Sequence, residues 1–191
     1  NSGSDANTPS NPPTVQDEYS LVWEDNFDGE ELNRDDWNVE LHDPGWVNAE
    51  LQAYVDSEEN IYIEDGKLVL QAIETIDENG KKSYTSGRVN TQDKHDFKYG
   101  KFEAKIKVPS GKGFLPAFWM MPTDEQYYGQ WPKCGEIDIM EVMGQTTDTL
   151  HGTIHYGEPH GQKQGTYVLD DSVADFAEEF HVYTCEWEPG K

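Results

Sequence analysis

The run Lys101-Phe-Glu-Ala-Lys-Ile-Lys-Val108 alternates without a break. Phe102, Ala104, Ile106 and Val108 fall on one side, and Glu103, Lys105 and Lys107 on the other. A period of two residues belongs to extended chain, so the segment reads as an antiparallel strand with one buried and one wet face. Such a strand needs partners beside it and a second layer above it. Candidates lie along the chain. Asn60–Ile63, the Asp65-Gly66 turn and Lys67–Ile73 read as strand, turn, strand. Asp77-Glu-Asn-Gly80 is another turn, and His181–Trp187 another strand, closed by a turn at Glu188–Lys191. Only Asp170–Phe180 looks helical, and it is short. Many short strands between turn signals predict a β-sandwich or barrel.

Residues 1–17 (NSGSDANTPSNPPTVQD) hold almost nothing that could be buried and read as a flexible leader or linker. Residues 18–191 are then one domain, in a chain of 191 residues that is long enough for a real core. No stretch approaches the length of a membrane span. With 14 Lys and Arg against 38 Asp and Glu, the formal charge is −24. That excludes a phosphate-binding, nucleic-acid surface and disfavours anionic lipid, leaving a neutral or weakly charged partner. The two cysteines, Cys134 and Cys185, could pair, stay free or bind a metal, and no Cys-x-x-Cys spacing chooses among these.

The chemistry is concentrated in Gly135-Glu-Ile-Asp-Ile-Met-Glu-Val-Met-Gly144. Wound as a helix, Glu136 would lie about 160° from Asp138 and about 140° from Glu141, and no site would form. The isoleucines favour a strand. A regular strand puts Glu136 and Asp138 on one face but sends Glu141 inward with the isoleucines, at a cost of several kcal/mol. One extra residue removes the conflict. A β-bulge near Met140 switches the parity, so that Glu136, Asp138, Glu141 and Met143 share one face while Ile137, Ile139 and Val142 face the core. Three adjoining carboxyls raise one another's pKa. They suit either a hard cation or glycoside hydrolysis, in which one carboxylate attacks, one carboxyl delivers a proton and a third tunes the pair. Trp119 and Trp131, close by in sequence, offer faces for sugar rings and favour the second use.

From Leu21 to Lys191 the chain resembles glycoside hydrolase family 16, and more narrowly its bacterial laminarinases. The pieces that carry the resemblance occur in family order: Leu21–Asp28, Gly45–Gln52, Glu64–Leu70, Ser86–Val89, Tyr99–Glu103, Pro116–Pro122, the acidic strand after Gln130-Trp-Pro132, and Phe180–Trp187. The resemblance implies a jelly-roll β-sandwich of two curved antiparallel sheets, with a concave cleft for polysaccharide. It implies Glu136 as nucleophile, Glu141 as acid/base and Asp138 as the assisting carboxyl, in a secreted or cell-surface retaining endo-β-1,3-glucanase. The two residues between Asp138 and Glu141 match laminarinases, agarases and carrageenases; lichenases and xyloglucan-acting members usually have one.

By the same match Asn48 and Arg88 would bind sugar, Trp131 would be a platform, Trp119 a cleft wall, and His155 a cleft residue on the neighbouring strand. Each has a structural alternative: turn chemistry for Asn48, a salt bridge for Arg88, core packing for the tryptophans, a buried structural role for His155. Catalysis would need no cofactor. The calcium that many members hold on the convex side would match the Glu24 side chain and the Gly66 carbonyl, with its remaining acidic ligand on a later strand. Two departures stand out. Leu115-Pro-Ala replaces a common Trp-Pro-Ala, and the family usually continues past Lys191 with further strands. The expectation is that more residues, or a second chain, complete the sheets. The partner implied is a β-glucan; the other readings are a non-catalytic glucan-recognition module, or a hydrolase of mixed-linkage glucan or marine galactan.

Overall fold

The computed structural model describes residues 19–191; the predicted leader, 1–17, lies outside them. The described chain is almost entirely β. In order it forms β1 (Asn38–Val39), β2 (Gln52–Tyr54), β3 (Ile61–Ile63), β4 (Leu68–Leu70), β5 (Ile73–Ile76), β6 (Lys82–Ser86), β7 (Val89–Asn90), β8 (Gly100–Ile106), β9 (Ala117–Met120), α1 (Glu125–Tyr128), β10 (Glu136–Val142), β11 (Thr149–Tyr156), β12 (Gly161–Val168) and β13 (His181–Trp187). The largest sheet runs β12-β11-β10-β9, all antiparallel. A second layer pairs β8 with β13. Smaller ladders join β1 to β7, β3 to β4, and β2-β6-β5, with β2 and β6 parallel.

The alternation read in Lys101–Val108 is what binds the layers. Phe102 and Ile106 turn inward with buried Val108, and Tyr183 and Cys185 answer them from β13. Against them the large sheet presents Ile139, Met140, Val142, Leu150, Phe118 and Met120. Met140 is 1% exposed and Val142 0%. Burying a side chain of that size stabilises by about 1.5–3 kcal/mol. Both cysteines are free thiols, so the disulfide alternative is not realised.

The expected strand Lys67–Ile73 is broken into β4 and β5, which belong to different sheets. Asn60 makes the break: its side-chain amide donates to the Gln71 carbonyl at 2.8 Å, and its own carbonyl accepts from the Gln71 amide at 2.8 Å. The Asp77–Gly80 turn forms, with the Gly80 amide on the Asp77 carbonyl.

The expected helix at Asp170–Phe180 does not form. Asp170 caps the Ser172 amide and Asp175 the Ala177 amide, at 2.9 and 2.8 Å. Phe176, 3% exposed, gives its amide to Thr147 and accepts from Val108. Local carboxylate bonds compete with the helical ladder, and core burial of Phe176 decides the outcome. Among the described residues the one helix, α1, lies in the loop ahead of the acidic strand, capped by Asp124.

Candidate active site

The parity conflict in the acidic strand is resolved by a bulge. Asp138 pairs with Thr153 and Glu141 with His151 on β11, so Ile139 and Met140 together oppose Gly152. Against β9 the skipped residue is Ile139: Asp138 pairs with Trp119 and Met140 with Phe118. Ile139 and Met140 both go to the core, and Glu141 returns to the face of Glu136 and Asp138.

Cross-strand pairing then assembles the wet face. Trp119 stands beside Asp138, His155 beside Glu136, and His151 beside Glu141. From the preceding loop, Trp131 donates its indole Nε1–H to Glu136 Oε2 at 2.6 Å. His155 Nε2 lies 3.2 Å from Asp138 Oδ2.

The surroundings divide the carboxyls. Asp138 is 6% exposed, and burial, then the charges of Glu136 and Glu141 and a hydrogen bond with Glu136, push it up to about 8. At neutral pH it is therefore a hydrogen-bond donor between two potential anions. Burial also raises Glu141, helped by Glu136 and opposed by His155 and His151, which suits a group that gives up a proton.

This arrangement has a stability signature. A carboxyl raised in the folded state, from an ordinary value of about 3.9, adds stability that is complete below the unfolded pKa and is lost as pH rises towards 8. Asp138→Asn removes that loss without changing shape. The variant's Tm relative to the original should climb between pH 4 and pH 8, by several degrees in total. A pH-independent difference in melting would contradict the raised value.

Arg88 closes the side of the site. Its guanidinium lies 4.7 Å from the Trp119 ring centroid, 5.1 Å from Trp46 and 5.6 Å from Tyr54. Nε ion-pairs with Glu40 Oε2 at 2.9 Å, although its N–H is not aligned for a hydrogen bond. Burial pushes Glu40 up, but hydrogen bonds from Asn90 and His42 and the charge of Arg88 outweigh it and hold the carboxyl below its usual range. Arg88 thus does form a salt bridge, and the same residue packs against Trp119. Asn48 sits exposed, with φ 51°, in the loop that carries Trp46.

The structure brings Glu136, Asp138, Glu141, Trp119, Trp131, His155 and Arg88 together. Glu24 is an exposed carboxylate and Gly66 an exposed turn residue with φ 64°. Among the described residues no group of three or more His, Cys, Asp or Glu could hold a metal ion. Calcium takes six to eight oxygens, so these two donors do not make a site by themselves. Sequence reasoning missed Glu40, His42, Trp46, Tyr54, His151 and His160. Only Trp46 carried a signal, being an aromatic beside Asn48 in Gly45-Trp-Val-Asn48.

The described residues thus form a two-layer β-sandwich with an acidic triad and tryptophans on one open face. The model of the glycosyl hydrolases family 16 matches residues 48–191, and the chain belongs to that family. It is 39% identical over 196 residues to glucan endo-1,3-beta-glucosidase A1 of Niallia circulans, covering 95% of this chain and 28% of that protein. It is 43% identical over 177 residues to a glucan endo-1,3-beta-glucosidase of Cryptopygus antarcticus, covering 90% and 64%. The chain thus spans about a quarter of the first relative and just under two thirds of the second. The catalytic domain of an endo-1,3-beta-glucanase (laminarinase) from Thermotoga petrophila superposes with a TM-score of 0.80 at 41% identity, covering 90% of this chain and 71% of that one. The jelly-roll sandwich is shared with it.

Proposed function

We propose that the protein is a retaining endo-glycosidase that hydrolyses β-1,3-glucosidic bonds in laminarin-type glucans. The observation that carries this reading is the bulge at Ile139–Met140, which puts Glu136 and Glu141 on one face with a proton-bearing Asp138 between them. The Glu136 carboxylate attacks the anomeric carbon as Glu141 gives its proton to the departing oxygen, and the glycosidic bond breaks. Glu141 then takes a proton from water, whose oxygen displaces Glu136 and restores the β configuration. Asp138, by donating to Glu136, keeps a second negative charge away from the nucleophile. The β-1,3 preference is supported by the names of the relatives and by the uncharged substrate that a −24 chain favours.

Two carboxyls and water suffice for this chemistry. On the family resemblance, calcium would be structural, with Glu24 and Gly66 supplying part of its shell. A polymeric substrate is met outside the cell, so we place the protein in secretion or at the cell surface, which fractionation of the producing cells tests.

The deciding assay is reducing-end release from laminarin, mixed-linkage glucan and agarose, with Glu136→Gln as control and with a chelator in a parallel series. Release from laminarin above the others is expected. Release from agarose alone would move the substrate to a galactan. Binding to laminarin with no release from any polymer would replace the hydrolase with a recognition module. A melting temperature unmoved by chelator would remove the calcium.

A further inference from the structure

The turn between β11 and β12 carries a histidine that this mechanism does not use. His160 leaves the hairpin just before Gly161, which pairs with Tyr156, and folds back over the strand. Its ring lies nearly coplanar with that of His155, edge to edge, with centroids 5.1 Å apart and planes at 19°, and lies 5.0 Å from the Trp131 ring. Its Nε2 is 2.9 Å from Nδ1 of His155. The other nitrogen of His155, Nε2, faces Asp138 Oδ2 at 3.2 Å.

Donors and acceptors along this row are constrained. The Trp131 indole can only donate, and it donates to Glu136. Asp138 shares a hydrogen bond with Glu136 and has only one proton to offer. Towards His155 the carboxyl must therefore accept, which places the His155 proton on Nε2. A neutral imidazole then has a bare Nδ1, and His160 Nε2 must be the donor to it. The row runs one way: the His160 hydrogen bond leads to His155, the Nε2 contact of His155 to Asp138, and the Asp138 hydrogen bond to Glu136, where the Trp131 indole also arrives. Resting on the hydrolase reading, we propose that His160 is a positioning residue for the acidic triad: its Nε2–H fixes His155 in the tautomer that donates to Asp138.

Without that donor, His155 is free to carry its proton on Nδ1. Its bare Nε2 would then draw the Asp138 proton away from Glu136, leaving the nucleophile one donor short. A ring that only walled the cleft would have no such effect. Two variants separate the cases. His160→Phe keeps a ring against Trp131 and His155 but has no N–H, and His160→Gln returns an amide donor.

The readouts are 15N spectra of the His155 imidazole, assigned with a His155→Asn sample, and steady-state rates on laminarin. We expect the original protein to show one fixed His155 tautomer. In His160→Phe the two nitrogens should average, with kcat lower by about 3- to 10-fold and KM within about twofold. His160→Gln should restore both. The proposal fails if His155 keeps its tautomer in His160→Phe, if kcat does not move, or if KM rises alone. Should the original protein release nothing from any of the three polymers, the hydrolase reading fails, and the His155 spectra still decide whether His160 sets the tautomer.

Discussion

Glu136→Ala and Glu141→Ala both lose laminarin hydrolysis, and azide tells them apart. Removing the nucleophile should cost on the order of 10⁴-fold or more, and removing the proton donor about 10²- to 10⁴-fold. In Glu141→Ala the glycosyl-enzyme on Glu136 still forms with substrates whose leaving group needs no proton. Azide needs no general base, so it should restore turnover and give a β-linked glycosyl azide. In Glu136→Ala the azide takes the face vacated by the carboxylate, and the product should be α-linked. The split follows from the surroundings of the two groups. Glu136 accepts the Trp131 indole at 2.6 Å and the Asp138 hydrogen bond, whereas Glu141 is raised by burial beside His151 and His155. A β-linked azide from the Glu136 variant would reverse the two roles.

Met140→Ala should destabilise the fold by about 2–4 kcal/mol, since it removes buried contacts and leaves a cavity. At this chain length that corresponds to a Tm lower by roughly 5–15 °C. Met143→Ala, three residues on and 39% exposed, should shift stability by less than about 0.5 kcal/mol. The comparison tests the bulge. In a regular strand Met140 shares the face of Glu136 and Asp138, and Glu141 and Met143 point inward. A costly Met143→Ala beside a neutral Met140→Ala would restore that regular strand and remove Glu141 from the cleft. A shared activity loss would not, because destabilisation alone can produce it.

Much of this was legible locally. Alternation in Lys101–Val108 named a half-buried strand, and β8 packs Phe102 and Ile106 inward beside buried Val108. Parity in the acidic strand required an extra residue between Asp138 and Glu141, and the register skips there. Turn residues marked Asp77–Gly80. Each of these follows from a repeat or a conflict contained within about ten residues.

The misreadings have a common origin. Asp170–Phe180 carries helical propensity, yet its backbone groups pair with Thr147 and Val108 because Phe176 fills the core. Lys67–Ile73 carries strand propensity, yet Asn60 divides it. In both, a partner distant in sequence outweighs a local preference worth only tenths of a kcal/mol per residue.

The sequence by itself determined that the chain is a β-sandwich or barrel, that three carboxyls share a face, and that the strand bearing them is bulged, because strand periodicity and the cost of burying a carboxylate both require it. Tertiary structure alone decided what surrounds those carboxyls. Trp119, His151 and His155 reach them through strand pairing, Arg88 is held among Glu40, Trp46 and Tyr54, and His160 returns across a hairpin. Proton placement depends on these neighbours and on the burial they create, and neither is encoded in the spacing of the acids.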